Sequence, residues 1–425
     1  MFLEWRVMQN PPRPAAPRLL AGAALRVLTP NPLLPVSGGM GPTAPAKEKR
    51  GEITTRALCL RKGDTTVAIV AVDLLGFPGV LVDRVAARVP RLKREQLVVG
   101  ASHTHSAPDA YAFPDGRGGH TGDLKWIDSV CVRMAEAVNE ALDRLEPAAL
   151  RTASGQVRDR IAYNYYAPDL YDREMSVLQA VRPSGKPIAT LVNFAIHPEV
   201  LGNEVGIVSP DCIGPMCDTI EASVGGMAMF MNGAQGGMVT ADNRLLDKPK
   251  DPVRGYWEDA RTWDECLRIG KRMADDALRI LRPAKVQNNP TLALRSEKVR
   301  FPVDSNAMWA VVTLSPHKYP HGPGKTVSTY VDLICVGDSR ILTIPGEALP
   351  NIGLHVKKWM GGRSKFLFGL TNDAFGYILS DVDFGTFSRY DYVSATSLGP
   401  RTFPTLRDAW KRLVAAAPKP DDPAK

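Results

Sequence analysis

The sequence predicts a mixed α/β fold, built of mixed β-sheets with flanking helices. Three observations carry this. Short apolar runs of strand length are interleaved with amphipathic helical stretches, without strict alternation, so sheets of mixed direction with helices outside are expected. The 36 Gly and 35 Pro are spread without a period, which marks many turns and long connections rather than low complexity. With 44% hydrophobic and 23% charged residues over 425 positions, the chain must also bury a sizeable core.

The elements follow in order. Residues 1–18 are Pro-rich and aperiodic, a flexible arm. One catalytic unit is expected over residues 19–416, and residues 417–425 read as a disordered tail. Ala24–Thr29 is an apolar strand that stops at Thr-Pro, and Pro30–Glu52 is a long Gly/Pro/Ser-rich loop. Thr55–Leu60 and Thr66–Leu74 flank Lys62-Gly63-Asp64, a hairpin signal. Gly79–Arg88 reads as a helix and Gln96–Ala101 as a fully buried strand. In Asp123–Leu145 the residues Ile127, Val130, Met134, Val138 and Leu142 keep helical spacing. A second hairpin joins Ser176–Val181 to Ile188–Ala195, and Met227–Met231 is a strand that enters the loop Asn232–Gly237. Tyr256–Leu281 is the longest helix candidate. A third hairpin joins Tyr330–Val336 to Ile341–Ile344, Lys365–Leu370 is the last strand, and Leu406–Ala415 is a terminal helix.

Composition narrows the partners. The net charge is +8, but no aromatic residues interleave with the longest basic run, Lys47-Glu48-Lys49-Arg50, so the excess reads as solubility and not as a nucleic-acid surface. Cys59, Cys131, Cys212, Cys217, Cys266 and Cys335 lack CxxC spacing and sit mostly in apolar runs, as buried free thiols do. No stretch approaches the roughly 20 apolar residues of a membrane span. The start lacks a signal-peptide pattern. A cytoplasmic location is expected, with periplasmic or secreted the alternative if the true start differs. A homo-oligomer stays open.

The chemistry collects at strand ends. QLVVGA is followed by Ser102-His103-Thr104-His105, and ATLVNFA by Ile196-His197-Pro198-Glu199. ILTI is followed by Pro345-Gly346-Glu347, and KFLFGL by a segment that reaches Tyr377. Binding crevices of open α/β sheets lie beyond the carboxyl ends of strands, so these groups can meet although they are far apart in sequence. Nitrogen and oxygen donors of this kind suit Zn²⁺ with an open position for water. An extended His-x-His pair would place both imidazoles on one side. Each group also has a plainer reading: a satisfied loop pair, a strand-end histidine, a carboxylate opening the helix Glu347–Trp359, a core tyrosine. His120, His317, His321 and His355 are read as non-catalytic.

ASHTHSAPDAY resembles the THTHSGPG signature of the neutral, non-lysosomal ceramidases, and NFAIHPEVLG resembles their second metal-histidine segment. IPGEAL, GLTNDAFGYILS and SRYDYVSATSLGP are similar to three further blocks of that family, all in the family's order between Ala21 and Pro400. The resemblance implies a catalytic domain in which His103, His197, Glu347 and Tyr377 hold one Zn²⁺. It implies that Zn-bound hydroxide attacks an amide carbonyl while His105 transfers the proton, and that Tyr390 is an active-site tyrosine hydrogen-bonding the oxyanion.

The departures fall on the substrate side. Where the family has its active-site serine this chain has Val239, with Thr240 one position on. The family's arginine position reads Tyr165 after Asn164, with Arg160 the nearest stand-in, and Gly-Pro-Gly has become Ala107-Pro108-Asp109. Roughly 25 residues follow Pro400, too few for the β-sandwich domain of true ceramidases. The sequence therefore reads as a zinc-dependent hydrolase cleaving the amide of an N-acyl substrate other than ceramide. Two alternatives stand beside it. One is an esterase or phosphoesterase in which Asp73 and Asp211 recruit a second metal, unless they are plain turn or cap carboxylates. The other is a non-catalytic, metal-stabilised binding protein.

Overall fold

A computed structural model describes residues 18–422 apart from 159, 252–255 and 387, so the expected arm lies, but for its last residue, outside the described range. Three larger sheets dominate, with five, four and five strands. In each, an antiparallel hairpin is extended by a parallel edge strand. The parallel pairs are Thr65–Val72 with Leu97–Ala101, Pro187–Phe194 with Met227–Asn232, and Ser339–Thr343 with Lys365–Phe368. Parallel neighbours need a crossover, and a helix supplies each one: Gly79–Ala86, Ile213–Val224 and Pro350–Trp359. The chain thus repeats a strand-helix-strand unit three times, and each unit presents two strand carboxyl ends.

The inner faces of the three sheets share one core. Leu58, Ile69 and Val98 of the first meet Leu178, Leu191 and Met229 of the second and Ile334, Ile341 and Phe366 of the third. Helices close the outer faces: Leu124–Asp143 covers the first sheet, Trp263–Leu281 the second, and Thr402–Ala415 the third. The strands of the parallel pairs are almost wholly buried on both sides, which is why their sequences are continuous apolar runs rather than alternating ones.

Buried asparagines join the sheets where the parallel strands end. Asn193 donates to Met231 O, Asn232 O and Leu367 O at 2.9, 3.0 and 2.7 Å and accepts from Leu367 N at 3.0 Å, tying the second sheet to the third. Asn372 accepts from Val99 N through its side chain at 3.3 Å and donates its own N–H to Val99 O at 2.7 Å, tying the third sheet to the first.

Three expectations are corrected. The helix expected over Tyr256–Leu281 begins only at Trp263, because Thr262 caps it through Glu265 N, while Tyr256–Asp259 is a strand paired with Arg244–Asp251. Glu347 does not open a helix. Pro350 takes the first helical position and holds Leu349 extended, so Glu347-Ala348 forms a short strand in register with Tyr377-Ile378. The tail is held as far as it is described, because the Asp421 carboxylate accepts from Thr291 N and Oγ1 at 2.7 and 2.6 Å, and its N–H donates to Gly337 O. The six cysteines are buried and free, as expected.

Candidate metal centre

The strand Leu97–Ala101 runs out into Ser102, and the chain then turns sharply. His103 has φ 71°, a left-handed conformation rare outside glycine, held by its N–H on Leu74 O at 2.9 Å. The two imidazoles of His-x-His therefore meet through a turn, not through the extended geometry expected: their ring centroids are 4.8 Å apart at 88°. His105 N donates to Pro198 O at 3.1 Å, which docks the first histidine segment on the second. Asn232 holds both segments, donating to Ser102 O and Ile196 O at 2.8 and 2.7 Å and accepting from Ile196 N at 3.2 Å.

Backbone carbonyls then orient the rings. His103 Nδ1 lies 2.5 Å from Leu75 O and His197 Nδ1 3.0 Å from Val239 O, so each Nδ1 carries the proton and each Nε2 turns its lone pair inward. Glu347 Oε2 lies 3.3 Å from His103 Nε2 and 3.2 Å from His197 Nε2, and His105 Nε2 is 3.3 Å from His103 Nε2. The ligand nitrogens of the three histidines all lie within 4.8 Å of one another. His197 Nε2 and Glu347 Oε2 are buried without a hydrogen-bonding partner. Lone pairs of imidazole and carboxylate facing one another in a dry site are unfavourable unless a cation sits between them, so the donor set fits a divalent metal.

The same closeness couples the titration of these groups, and at His197 it favours a proton on Nε2 that a divalent cation would displace. Burial pushes His105 down to about 3 despite Glu199, leaving it a neutral imidazole. Burial opposes the Glu347 charge, but the His103 and His197 imidazoles outweigh it and hold that carboxyl well below its usual range. At His197 burial works against the charged form, and the Glu347 carboxylate overcomes it and raises the pKa.

One cavity opens on this centre and a second lies beyond Glu199. The first, of about 60 Å³, is bordered by His103, His105, Glu347 and Tyr377 and walled by apolar or aromatic groups such as Met40, Leu75, Phe113 and Met308. Asp109 builds part of that wall by accepting from Tyr111 N and Phe113 N at 2.8 and 3.0 Å. The other, of about 260 Å³, lies on the Glu199 side.

No family model and no curated protein matches the sequence. Solved structures do. The crystal structure of neutral ceramidase from Pseudomonas aeruginosa superposes with a TM-score of 0.75 at 17% identity, covering 96% of this chain and 76% of that one. A ceramidase complexed with C2 superposes at 0.73 and 17% identity, covering 95% and 77%. The fold is that of the neutral ceramidases. At this identity the likeness is one of fold, and chemistry has to be argued from the side chains.

Within the neutral-ceramidase fold, His103, His105, His197 and Glu347 come together as described. Tyr377 lines the same cavity, with its hydroxyl on Met238 Sδ at 3.4 Å. Thr240 pairs along the backbone with His197, and its side chain borders the same cavity as Glu199, whose carboxyl burial would raise but His105 and His197 hold below its usual range. Tyr390 packs its ring on Tyr166, 5.3 Å between centroids, in the cluster around Leu349 and Val393, while Tyr392, two residues on, borders both cavities. Arg160 is held by Asp242 in a bidentate pair at 3.0 and 2.7 Å. Asp73 accepts from Thr54 N and Oγ1 at 2.9 and 2.8 Å, and Asp211 from Leu201 N and Cys212 N at 2.9 and 2.7 Å, so both act as turn and cap carboxylates.

Sequence reasoning passed over Glu199, whose Oε2 lies 3.5 Å from His105 Nδ1. The signal was present in His197-Pro198-Glu199, since a histidine segment docked on another brings its neighbours along. Asn232 and Tyr392 were also passed over. Asn232 opens the loop after Met227–Met231, and a polar residue there looks like any turn residue.

Proposed function

We propose that the chain is a zinc-dependent hydrolase that cleaves the amide bond of an N-acyl substrate other than long-chain ceramide. One observation carries the reading: three imidazole nitrogens and the Glu347 carboxylate converge with His197 Nε2 and Glu347 Oε2 lacking any partner. His103, His197 and Glu347 would hold the ion, with Tyr377 at its edge. A divalent zinc bound there supplies a Lewis acid for a carbonyl oxygen and lowers the pKa of bound water from 15.7 toward about 7.

The remaining work falls to this chain's own groups. His105 stands beside the donor set with Nδ1 on Glu199, so it can take a proton at Nε2 and release it to the departing amine nitrogen. Glu199 orients that imidazole and stabilises the imidazolium, as a carboxylate does for a general-base histidine. Thr240 stands beside Glu199 at the edge of the larger cavity, where its hydroxyl can support that carboxylate. Water is added across the amide, giving a carboxylic acid and an amine. The apolar walls of the smaller cavity suit the acyl side, and Tyr392 borders both halves. Val239, at the position where the sequence resemblance puts the ceramidase serine, is fully buried and carries no hydroxyl.

The test is hydrolysis of a panel of N-acyl amines by zinc-replete protein, the same sample after chelation, and His105→Ala. Turnover confined to the replete wild-type protein is expected. Turnover that survives chelation, or a ceramide rate matching that of short N-acyl amines, would contradict the reading.

A further inference from the structure

The cavity on the far side of Glu199 has a composition the amide chemistry alone does not require. Its walls are tyrosines: Tyr163, Tyr165, Tyr166 and Tyr392. They brace one another. Tyr165 stacks on Tyr256 at 4.9 Å and 8°, and meets Tyr166 edge to face at 5.5 Å and 78°. Rings braced in this way hold fixed positions around the space, with one face of Tyr165 covered by Tyr256 and one face of Tyr163 by Arg244.

Two carboxylates, Glu199 and Asp259, border the same space. The one cation among the described lining residues, Arg261, is committed to the cavity wall: its guanidinium lies 3.6 Å from Asp259 and donates to Glu199 O and Leu201 O at 3.5 and 3.4 Å. Arg244, next to the cavity, sits 3.8 Å above the Tyr163 ring and shares the Asp242 carboxylate with Arg160. The lining is therefore aromatic and, with two carboxylates to one guanidinium, net negative, the combination that holds an ammonium group and repels an anion. A neutral alkyl group would leave the carboxylates facing apolar matter, which is costly.

We infer that this cavity binds a cationic amine, a primary or quaternary ammonium, carried on the amine half of the substrate. Its place fits. Glu199, which borders the cavity, meets His105 Nδ1 at 3.5 Å, and with the smaller cavity taken by the acyl side this is the enclosed space left for the amine. Calling that amine a substrate half rests on the proposed amide hydrolysis; the cation site itself does not.

Two measurements separate the claims. The first compares hydrolysis of N-octanoyl-1,5-diaminopentane with N-octanoyl-hexylamine, near-isosteres that differ by a terminal ammonium. A kcat/KM preference of about tenfold or more for the cationic amide is expected, reduced toward unity in Asp259→Asn and in Tyr165→Leu. The second titrates tetramethylammonium, with tert-butyl alcohol as the neutral isostere, into wild-type protein followed by tyrosine and tryptophan fluorescence. Saturable binding of the cation alone, weakened about tenfold or more in the same variants, is expected. Equal turnover of both amides, or cation binding that neither variant changes, overturns the inference. If neither amide is cleaved, the amide reading fails while the tetramethylammonium titration still decides the cation site.

Discussion

Replacing Asn232 with leucine removes the clamp that holds both histidine segments. The side chain is fully buried and engages Ser102 O, Ile196 O, Ile196 N and Gly233 N. Gly233 N keeps a second acceptor, Phe194 O at 3.0 Å, so the change orphans three backbone groups. At about 1–3 kcal/mol for each buried group left unmade, and allowing for partial relaxation, Asn232→Leu should cost roughly 3–5 kcal/mol. The orphaned groups immediately precede His103 and His197, so zinc affinity should fall by roughly 10–100-fold, as when an outer partner of a metal ligand is lost. Urea unfolding gives the first quantity and competitive zinc titration the second. A loss under about 1 kcal/mol with unchanged zinc affinity would refute the clamp.

Zinc at 100 times its dissociation constant should stabilise the protein by about 2.7 kcal/mol. With an unfolding entropy of about 2.1 cal/mol/K per residue over 425 residues, that is a rise in Tm of roughly 3 °C, seen in scanning calorimetry and absent from His197→Ala. Thr240→Ala should lower turnover by at most about 10³, the cost of one lost hydrogen-bonding group, whereas His105→Ala should fall to the level of the chelated protein. A trapped acyl adduct on Thr240 would instead make it the nucleophile. Burial pushes Asp373 up to about 6, against the ordinary 3.8, with Tyr319 and Gly79 opposing. A raised carboxyl makes the folded state bind more protons than the unfolded one between these values. Its contribution is therefore present below 3.8 and lost as pH rises through about 6. Asp373→Asn should accordingly gain stability relative to wild type as pH rises from about 4 to about 7, by on the order of 1–3 kcal/mol, measured by denaturant midpoints. A difference that does not change with pH would contradict this assignment.

The donors were legible in the sequence because histidine and glutamate directly after uninterrupted apolar runs leave few places for the side chains to go but the sheet ends. His103, His197 and Glu347 did meet there. The repeated strand-helix-strand units were not legible. The crossover helix Ile213–Val224 carries Gly214 and Pro215 in its first turn and reads as a loop, and Pro350–Trp359 was merged with the residues before its proline. The turn at His103 was hidden as well, since a left-handed histidine is set by Leu74 and Leu75 from another strand end and not by its own sequence. Asn193 and Asn232 act across sheets, and a single polar residue at a strand end has no periodicity to reveal it.

The most direct measurement is a zinc titration of chelated, metal-free protein at a concentration well above its dissociation constant, following hydrolysis of a short N-acyl amine. If His103, His197 and Glu347 form the working site, activity rises linearly and breaks at one equivalent of zinc, and His197→Ala shows no rise. Full activity before any zinc is added, or an identical rise in His197→Ala, would contradict the assignment of this centre as the seat of the chemistry.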